Sequence, residues 1–153
     1  MPDYLSLFVK SGMLSDAHTT YIANEIALVS KSTDGHGIVL SKEDCRDIAV
    51  CRNELLVETE RIEIGVGAVG RIIEEFCDNG YVDKHNFRDT VEGLLECFYT
   101  IKTETEDKLD DDTVIEFLKL AFNAVGGDVS KIYMLEQFDE LIKNTLNGKN
   151  DKK

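Results

Sequence analysis

The chain has 153 residues, 31% of them charged, with 30 acidic against 17 basic side chains and a formal net charge of -13. A field of that sign repels phosphate backbones and anionic lipid surfaces. The only basic cluster is the tail Lys149, Lys152 and Lys153, so neither nucleic acid nor membrane is an expected partner. The length suits one domain with a core of its own, taken as residues 1–148, followed by a charged tail, 149–153, expected to be disordered.

No segment approaches the roughly 18 apolar residues of a membrane-spanning helix. Tyr4–Val9 is apolar, but Asp3 precedes it and Lys10 closes it, which is too short and wrongly flanked for a secretion signal. Cys45, Cys51, Cys77 and Cys97 form no CxxC and have no histidine at ligand spacing. They read as small buried hydrophobes in a reducing cytoplasm.

Ser15 is placed to cap a first helix running to about Lys31, with Ile22, Ile26 and Val29 as its apolar stripe. Thr33 to Gly37 stops it. Ser41 caps a second helix from Lys42 to about Glu60, with Glu43, Asp44 and Asp47 near its positive end. A third, from about Ala68 to Asp78, carries Ile72, Ile73 and Phe76 and ends at Asn79-Gly80. The fourth is predicted from about Lys84 to Thr103, on Phe87, Val91, Leu94, Leu95 and Phe98.

Asp110 or Asp111 caps the fifth, whose stripe is Val114, Phe117, Leu118, Ala121, Phe122 and Val125, and Gly126-Gly127 ends it. The sixth is predicted as one helix from about Val129 to Leu146. Two short β-branched fragments, 37–40 and 61–64, have the composition to pair as a two-stranded patch. The expected class is all-α, a compact orthogonal bundle of five to six helices with that minor β patch.

Three strings imitate functional motifs. Gly65-Val66-Gly67-Ala68-Val69-Gly70 spells GxGxxG, and Asp83 lies where a ribose-binding acid would be sought. A dinucleotide site also needs strands alternating with helices, and none are spelled here, so the glycines read as a hinge. Ser32 to Glu43 sets a glycine, an apolar residue and Glu43 in the register of a calcium loop, with Asp34 and His36 at ligand positions. Its first ligand is Ser32, and a second loop, from Asp78, places Asn86 where a bidentate Glu belongs. The carboxylates from Glu104 to Asp112 suit a solvated helix start. No Glu-x-x-His pair, GxSxG or HExxH is present, so no cofactor is expected and no catalytic residue is nominated.

Arg52 occupies the apolar seam of the second helix, four residues after Ile48 and three before Leu55. Its stem can lie along the core with its head in water, or its head can enter a structural ion pair, or it can bind a ligand. Ile115, Leu120, Tyr133, Met134 and Leu141 fall off the main stripes of the fifth and sixth helices. They are the candidate interface residues for a protein partner or a second copy.

Between Gly37 and Phe138 the chain also resembles a small family of bacterial proteins, mostly from low-GC Gram-positive organisms, that has no assigned activity. The resemblance rests on Leu40-Ser41 with Asp44, Arg52-Asn53-Glu54, Arg61 to Gly65 with Gly67, Phe76-Cys77-Asp78 with Tyr81, Phe98-Tyr99 with Lys102, and Asp111-Asp112 with Ile115-Glu116-Phe117. It implies a bacterial, cytoplasmic, helical protein and brings no catalytic residue. The expected function is a non-enzymatic protein-interaction or regulatory module. The alternatives are a weak calcium-binding protein through Asp34, His36 and Glu43, or an enzyme whose site is assembled from scattered residues.

Overall fold

In the computed structural model, residues 16–33, 38–63 and 65–148 are described. They form α1 (Asp16–Ser32), α2 (Lys42–Glu58), α3 (Ala68–Phe76), α4 (Phe87–Glu104), α5 (Asp111–Ala124), a 3-10 helix (Val129–Met134) and α6 (Glu136–Leu146). The all-α class read from periodicity is the class observed. Packing groups the chain into two compact units, Met1–Leu95 and Glu96–Lys153, and the division falls inside α4.

In the first unit, α1 packs on α2 and on α3. Of the stripe read for α1, Ile22 and Ile26 are buried and Val29 is half-buried, with Ala23 buried beside them, and Ile48, Leu56, Ile72, Ile73, Phe76 and Phe87 are buried in the same unit. Ser41 caps α2 as expected. Its hydroxyl accepts the Asp44 N–H at 2.9 Å, and the Asp44 carboxylate accepts the Ser41 N–H at 3.4 Å, a reciprocal capping box. α4 begins at Phe87 rather than Lys84, because Asp83 and Asn86 organise a turn first: the Asp83 carboxylate accepts the N–H groups of His85 and Asn86 at 2.8 and 2.9 Å.

The expected pairing of 37–40 with 61–64 is not found, since the described residues contain no strand; Gly37 and Ile64 themselves lie outside them. The backbone groups that a ladder would use are already taken. The Leu40 N–H donates to Ser30 Oγ at 3.0 Å, and the Ile38 carbonyl accepts from the Thr33 hydroxyl at 3.0 Å. The Glu63 carbonyl is occupied by Arg52. A ladder would have to break these bonds before forming its own.

In the second unit, Cys97, Phe98, Tyr99, Ile101, Val114, Leu118, Phe122 and Ile132 are buried. Of the two candidate caps for α5, Asp110 is the one used, accepting the Thr113 N–H at 2.8 Å. Asp111 is held instead by Lys102, whose ammonium lies 2.8 Å from its carboxylate and donates to the Leu109 carbonyl at 2.8 Å. Together they fix the turn between α4 and α5.

The predicted single helix from Val129 to Leu146 is two elements. A 3-10 helix ends at Met134, Leu135 adopts an extended conformation (φ -72, ψ 138), and α6 starts at Glu136. The break lets the Tyr133 ring meet Phe138 edge to face, with centroids 5.3 Å apart. No Ser, Thr, Asp or Asn stands at the boundary to announce it, and the cap position is Leu135 itself.

Three helices end in the same hydrogen-bonded motif. After α5, Gly126 is left-handed (φ +68) and the Gly127 N–H reaches back to the Phe122 carbonyl at 2.9 Å. After α2 and α4 the same pattern forms with Glu60 (φ +57) and Glu106 (φ +56) in the glycine position, closed by Arg61 N–H to Leu56 and Asp107 N–H to Lys102, each 2.8 Å. A Cβ in that conformation costs roughly 1–2 kcal/mol. Glu60→Gly and Glu106→Gly are each expected to raise the unfolding free energy by up to about 1 kcal/mol, the strain relief exceeding the entropy of a freer unfolded chain. Urea titration measures this, and a loss of stability in both variants would show that the glutamates themselves hold the turns.

Candidate functional site

α2 carries Arg52 into the interior of the first unit, where it has no exposed surface. Its guanidinium donates to Asn53 Oδ1 at 2.8 Å, to the Gly65 carbonyl at 2.5 Å and to the Glu63 carbonyl at 3.3 Å, and Glu63 Oε1 lies 3.9 Å away. Asn53 in turn donates to Thr19 Oγ1 at 3.4 Å on α1. The head therefore does not reach water; it joins α1, α2 and the loop before α3. Burial, and after it the Arg52 charge, hold the imidazole of His18 below its ordinary pKa.

The glycine string supplies this cage. Gly65 (φ +76) presents its carbonyl to Arg52, and Gly67, the N-cap residue of α3, has φ +62 and ψ -137. A Cβ on Gly67 would collide with the Glu63 carboxylate. Gly70 lies inside α3, where a Cβ would meet Val66 Cγ1 at 3.0 Å. The string is thus a backbone acceptor for a buried cation, and the strands of a dinucleotide fold are absent among the described residues.

Asp34 and His36 lie outside the described residues; Glu43 is exposed on the first turn of α2. In the second loop, the Asn79 side chain accepts the Tyr81 N–H at 2.8 Å and Asp83 is engaged as above, so these oxygens serve the turn. Among the described residues no group of three or more His, Cys, Asp or Glu is disposed to hold a metal ion. The densest charge cluster surrounds Arg88, with Asp89 at 3.1 Å, Asp47 at 3.2 Å, Asp44 at 3.7 Å and Glu92 at 3.9 Å. Glu92 is raised above its ordinary pKa chiefly by burial, with Arg88 opposing and Asp89, Asp47 and Asp44 adding to the rise.

Each unit has a concavity. In the first, α1 and α2 border a cleft of about 750 Å3 with Ala23, Ala27, Leu40 and Cys45 on its floor and Lys42, Glu43 and Arg46 among its walls. Arg46 pairs with Asp16 at 2.5 Å and donates to Thr20 at 3.2 Å. Burial pushes the Cys45 thiol up to about 11, so it is no nucleophile at neutral pH. In the second unit, α5 and the start of α6 border a slot of about 240 Å3 lined by Phe117, Leu120, Ala121, Ala124, Leu135 and Gln137. None of these is charged.

The candidate interface residues separate at this slot. Leu120, in its wall, is 65% exposed, and Met134, next to Leu135, is 80% exposed. Ile115 is buried, so it serves the core and not a surface. Tyr133 and Leu141 are half-buried. The Tyr133 hydroxyl is hydrogen-bonded to Cys97 and Thr100, and burial raises its pKa and pushes Cys97 up to about 11. Phe117 and Ala121, core-stripe residues by periodicity, also line the slot, as does Leu135. Leu28, Val39 and Tyr21, each more than half exposed, carry no signal in the stripes at all.

Residues 25–151 match the model of DUF6323, a family of unknown function, and the chain belongs to that family. This agrees with the resemblance to a family without assigned activity. No curated protein and no solved structure matches the chain.

The Arg52 cage and the Arg88 cluster each yield a test. Arg52→Ala strands buried acceptors and is expected to cost about 3–5 kcal/mol. Gly67→Ala is expected to cost about 1–3 kcal/mol, and Glu63→Ala in that background to recover only part, because the φ strain remains when the collision is removed. Equilibrium unfolding reads all three; saturable NAD or ATP binding lost in Gly67→Ala would overturn the structural account of the string. For Glu92, a raised folded pKa means that its stabilising contribution is complete below the ordinary value of 4.5 and is lost as pH rises through the folded value. Carboxyl NMR is expected to find its midpoint above 4.5, and higher still in Arg88→Gln; a midpoint below 4.5 would contradict the burial argument.

Proposed function

We propose that this DUF6323 protein is a non-enzymatic cytoplasmic module that works by docking a protein on the apolar face of its second unit. The observation that carries the reading is the slot between α5 and α6 with Leu120 and Met134 beside it, 65% and 80% exposed. An apolar concavity flanked by bare leucine and methionine in a chain of net charge -13 is surface that a protein partner would cover. The same net charge argues against nucleic acid and anionic lipid as the partner, and no helix among the described residues is long and apolar enough to cross a membrane. The buried, protonated thiols of Cys45 and Cys97 suit a reducing compartment.

The test is affinity capture of the tagged chain from its own host beside a Leu120→Glu, Met134→Glu double variant. The wild type is expected to bring down a stoichiometric protein, either another protein or an untagged copy, that the variant loses while keeping its circular dichroism melt. Capture that is equal in both would remove the docking face from this surface.

A further inference from the structure

We propose that the protein docked at the α5–α6 slot presents a basic amphipathic segment, an apolar side chain set among lysines and arginines, so that the side chain enters the slot while the cations meet Glu116, Glu136 and Glu140 beside it. This rests on the docking reading above and specifies the chemistry of the partner.

The slot selects a side chain. At about 240 Å3 it falls below the roughly 300–1,000 Å3 of small-molecule sites, and its lining holds no charged group to orient a small polar ligand. A protruding leucine, methionine or phenylalanine suits that space. Leu120 and Met134, 65% and 80% exposed, extend the apolar surface that such a residue covers, and methionine's flexible thioether adapts to the shape of what arrives.

The carboxylates beside the slot select the charge around that side chain. Glu116 stands one residue before Phe117 and four before Leu120, Glu136 lies between Leu135 and Gln137, and Glu140 follows Gln137 by three, so each adjoins a slot residue along the chain or one helical turn away. All three are exposed. None is in an ion pair with a described residue, whereas Asp111 and Asp128 of the same unit have Lys102 and Lys131 at 2.8 and 3.9 Å. The cations of these two helices are placed elsewhere: Lys119 does not line the slot and falls across α5 from Phe117, Ala121 and Ala124 at the helical period, and Lys143 is in the last turn of α6. An apolar hollow bordered by uncompensated carboxylates is the complement of an apolar residue bordered by cations. It disfavours a second copy, which would bring the same three carboxylates to the contact. A helix with apolar residues at i, i+3, i+4 and i+7 and lysine elsewhere is the simplest segment of the required kind.

The probe is such a peptide, about 16 residues long so that it can hold a helix, with leucine at the apolar positions, lysine at the rest and a fluorescein label for anisotropy. One twin carries glutamate in place of lysine, and a second carries glutamine in place of leucine. The wild type is expected to bind the leucine-lysine peptide at least about tenfold more tightly than either twin, with an affinity that falls as salt rises. The triple variant Glu116→Gln, Glu136→Gln, Glu140→Gln is expected to lose about tenfold and most of the salt dependence. Glu54→Gln, Glu58→Gln, Glu74→Gln removes three exposed carboxylates from the first unit, changes the net charge equally, and is expected to stay within about twofold of the wild type. Leu120→Gln, Met134→Gln leaves the charge unaltered and is expected to lose about tenfold, which reads the apolar contact alone. Glu136 also stands in the first turn of α6, where the helix dipole favours it; if the slot triple melts early, Glu116→Gln, Glu140→Gln takes its place with an expected loss of about threefold.

Equal binding of the lysine and glutamate peptides, or equal loss in the two glutamine triples, overturns the basic partner. If the slot triple still captures the host protein that Leu120→Glu, Met134→Glu loses, or if that protein is another copy of this chain, the docking reading stands and only the partner's chemistry falls. If neither the peptide nor any host protein depends on Leu120 and Met134, both fall.

Discussion

A guanidinium with no exposed surface is the constraint around which the first unit is arranged. Removing a cation from water costs several kcal/mol unless its donors are met. Arg52 meets them chiefly with the backbone: the carbonyls of Glu63 and Gly65, with the Asn53 amide oxygen beside them. Presenting two carbonyls so close in sequence to one donor group requires the loop to turn sharply. Gly65 and Gly67, both at positive φ, permit that turn, and α3 begins where it ends. The Glu63 carboxylate fills the space beside Gly67 that any side chain would need, so the glycine, the carboxylate and the arginine are mutually dependent.

The same device, a side chain taking up main-chain acceptors or donors, recurs at other connections. Ser30 and Thr33 hold the segment entering α2, and Lys102 holds the carbonyl of Leu109 while neutralising Asp111. Buried backbone groups must be satisfied by something. In a chain whose connections contain β-branched residues, satisfying them with hydroxyls and cations is what keeps those segments out of a ladder.

This explains which parts of the fold were legible in the sequence. Helical stripes announce themselves because burial repeats at the helical period, and Ser41 and Asp110 announce helix starts because their side chains do the capping. The ends at Glu60 and Glu106 are silent, since the left-handed residue there is a glutamate and the motif is made by backbone alone. The break at Leu135 is silent for a related reason: no capping side chain marks it, and the contact of Tyr133 with Phe138 that accompanies it is encoded by no local pattern. Arg52 was legible as an anomaly in an apolar seam, but its partners were not, because carbonyls have no letter in the sequence.

The α5 surface shows the same division between pattern and packing. Ile115 and Leu120 both fall off the main stripe of α5, and periodicity treats them alike. One is buried and the other is 65% exposed, a difference that a single stripe does not describe. The difference decides which side chain a partner could reach. A side chain absorbed into the core specifies the fold and is unavailable to a partner, whereas one left in water beside an uncharged slot raises the free energy of the isolated unit and lowers it again on association. On the docking reading, the acidity of the rest of the chain would act as a filter, discouraging contact with acidic surfaces elsewhere. On the docking reading, an acidic surface beside an uncharged slot would restrict a sticky face to few partners.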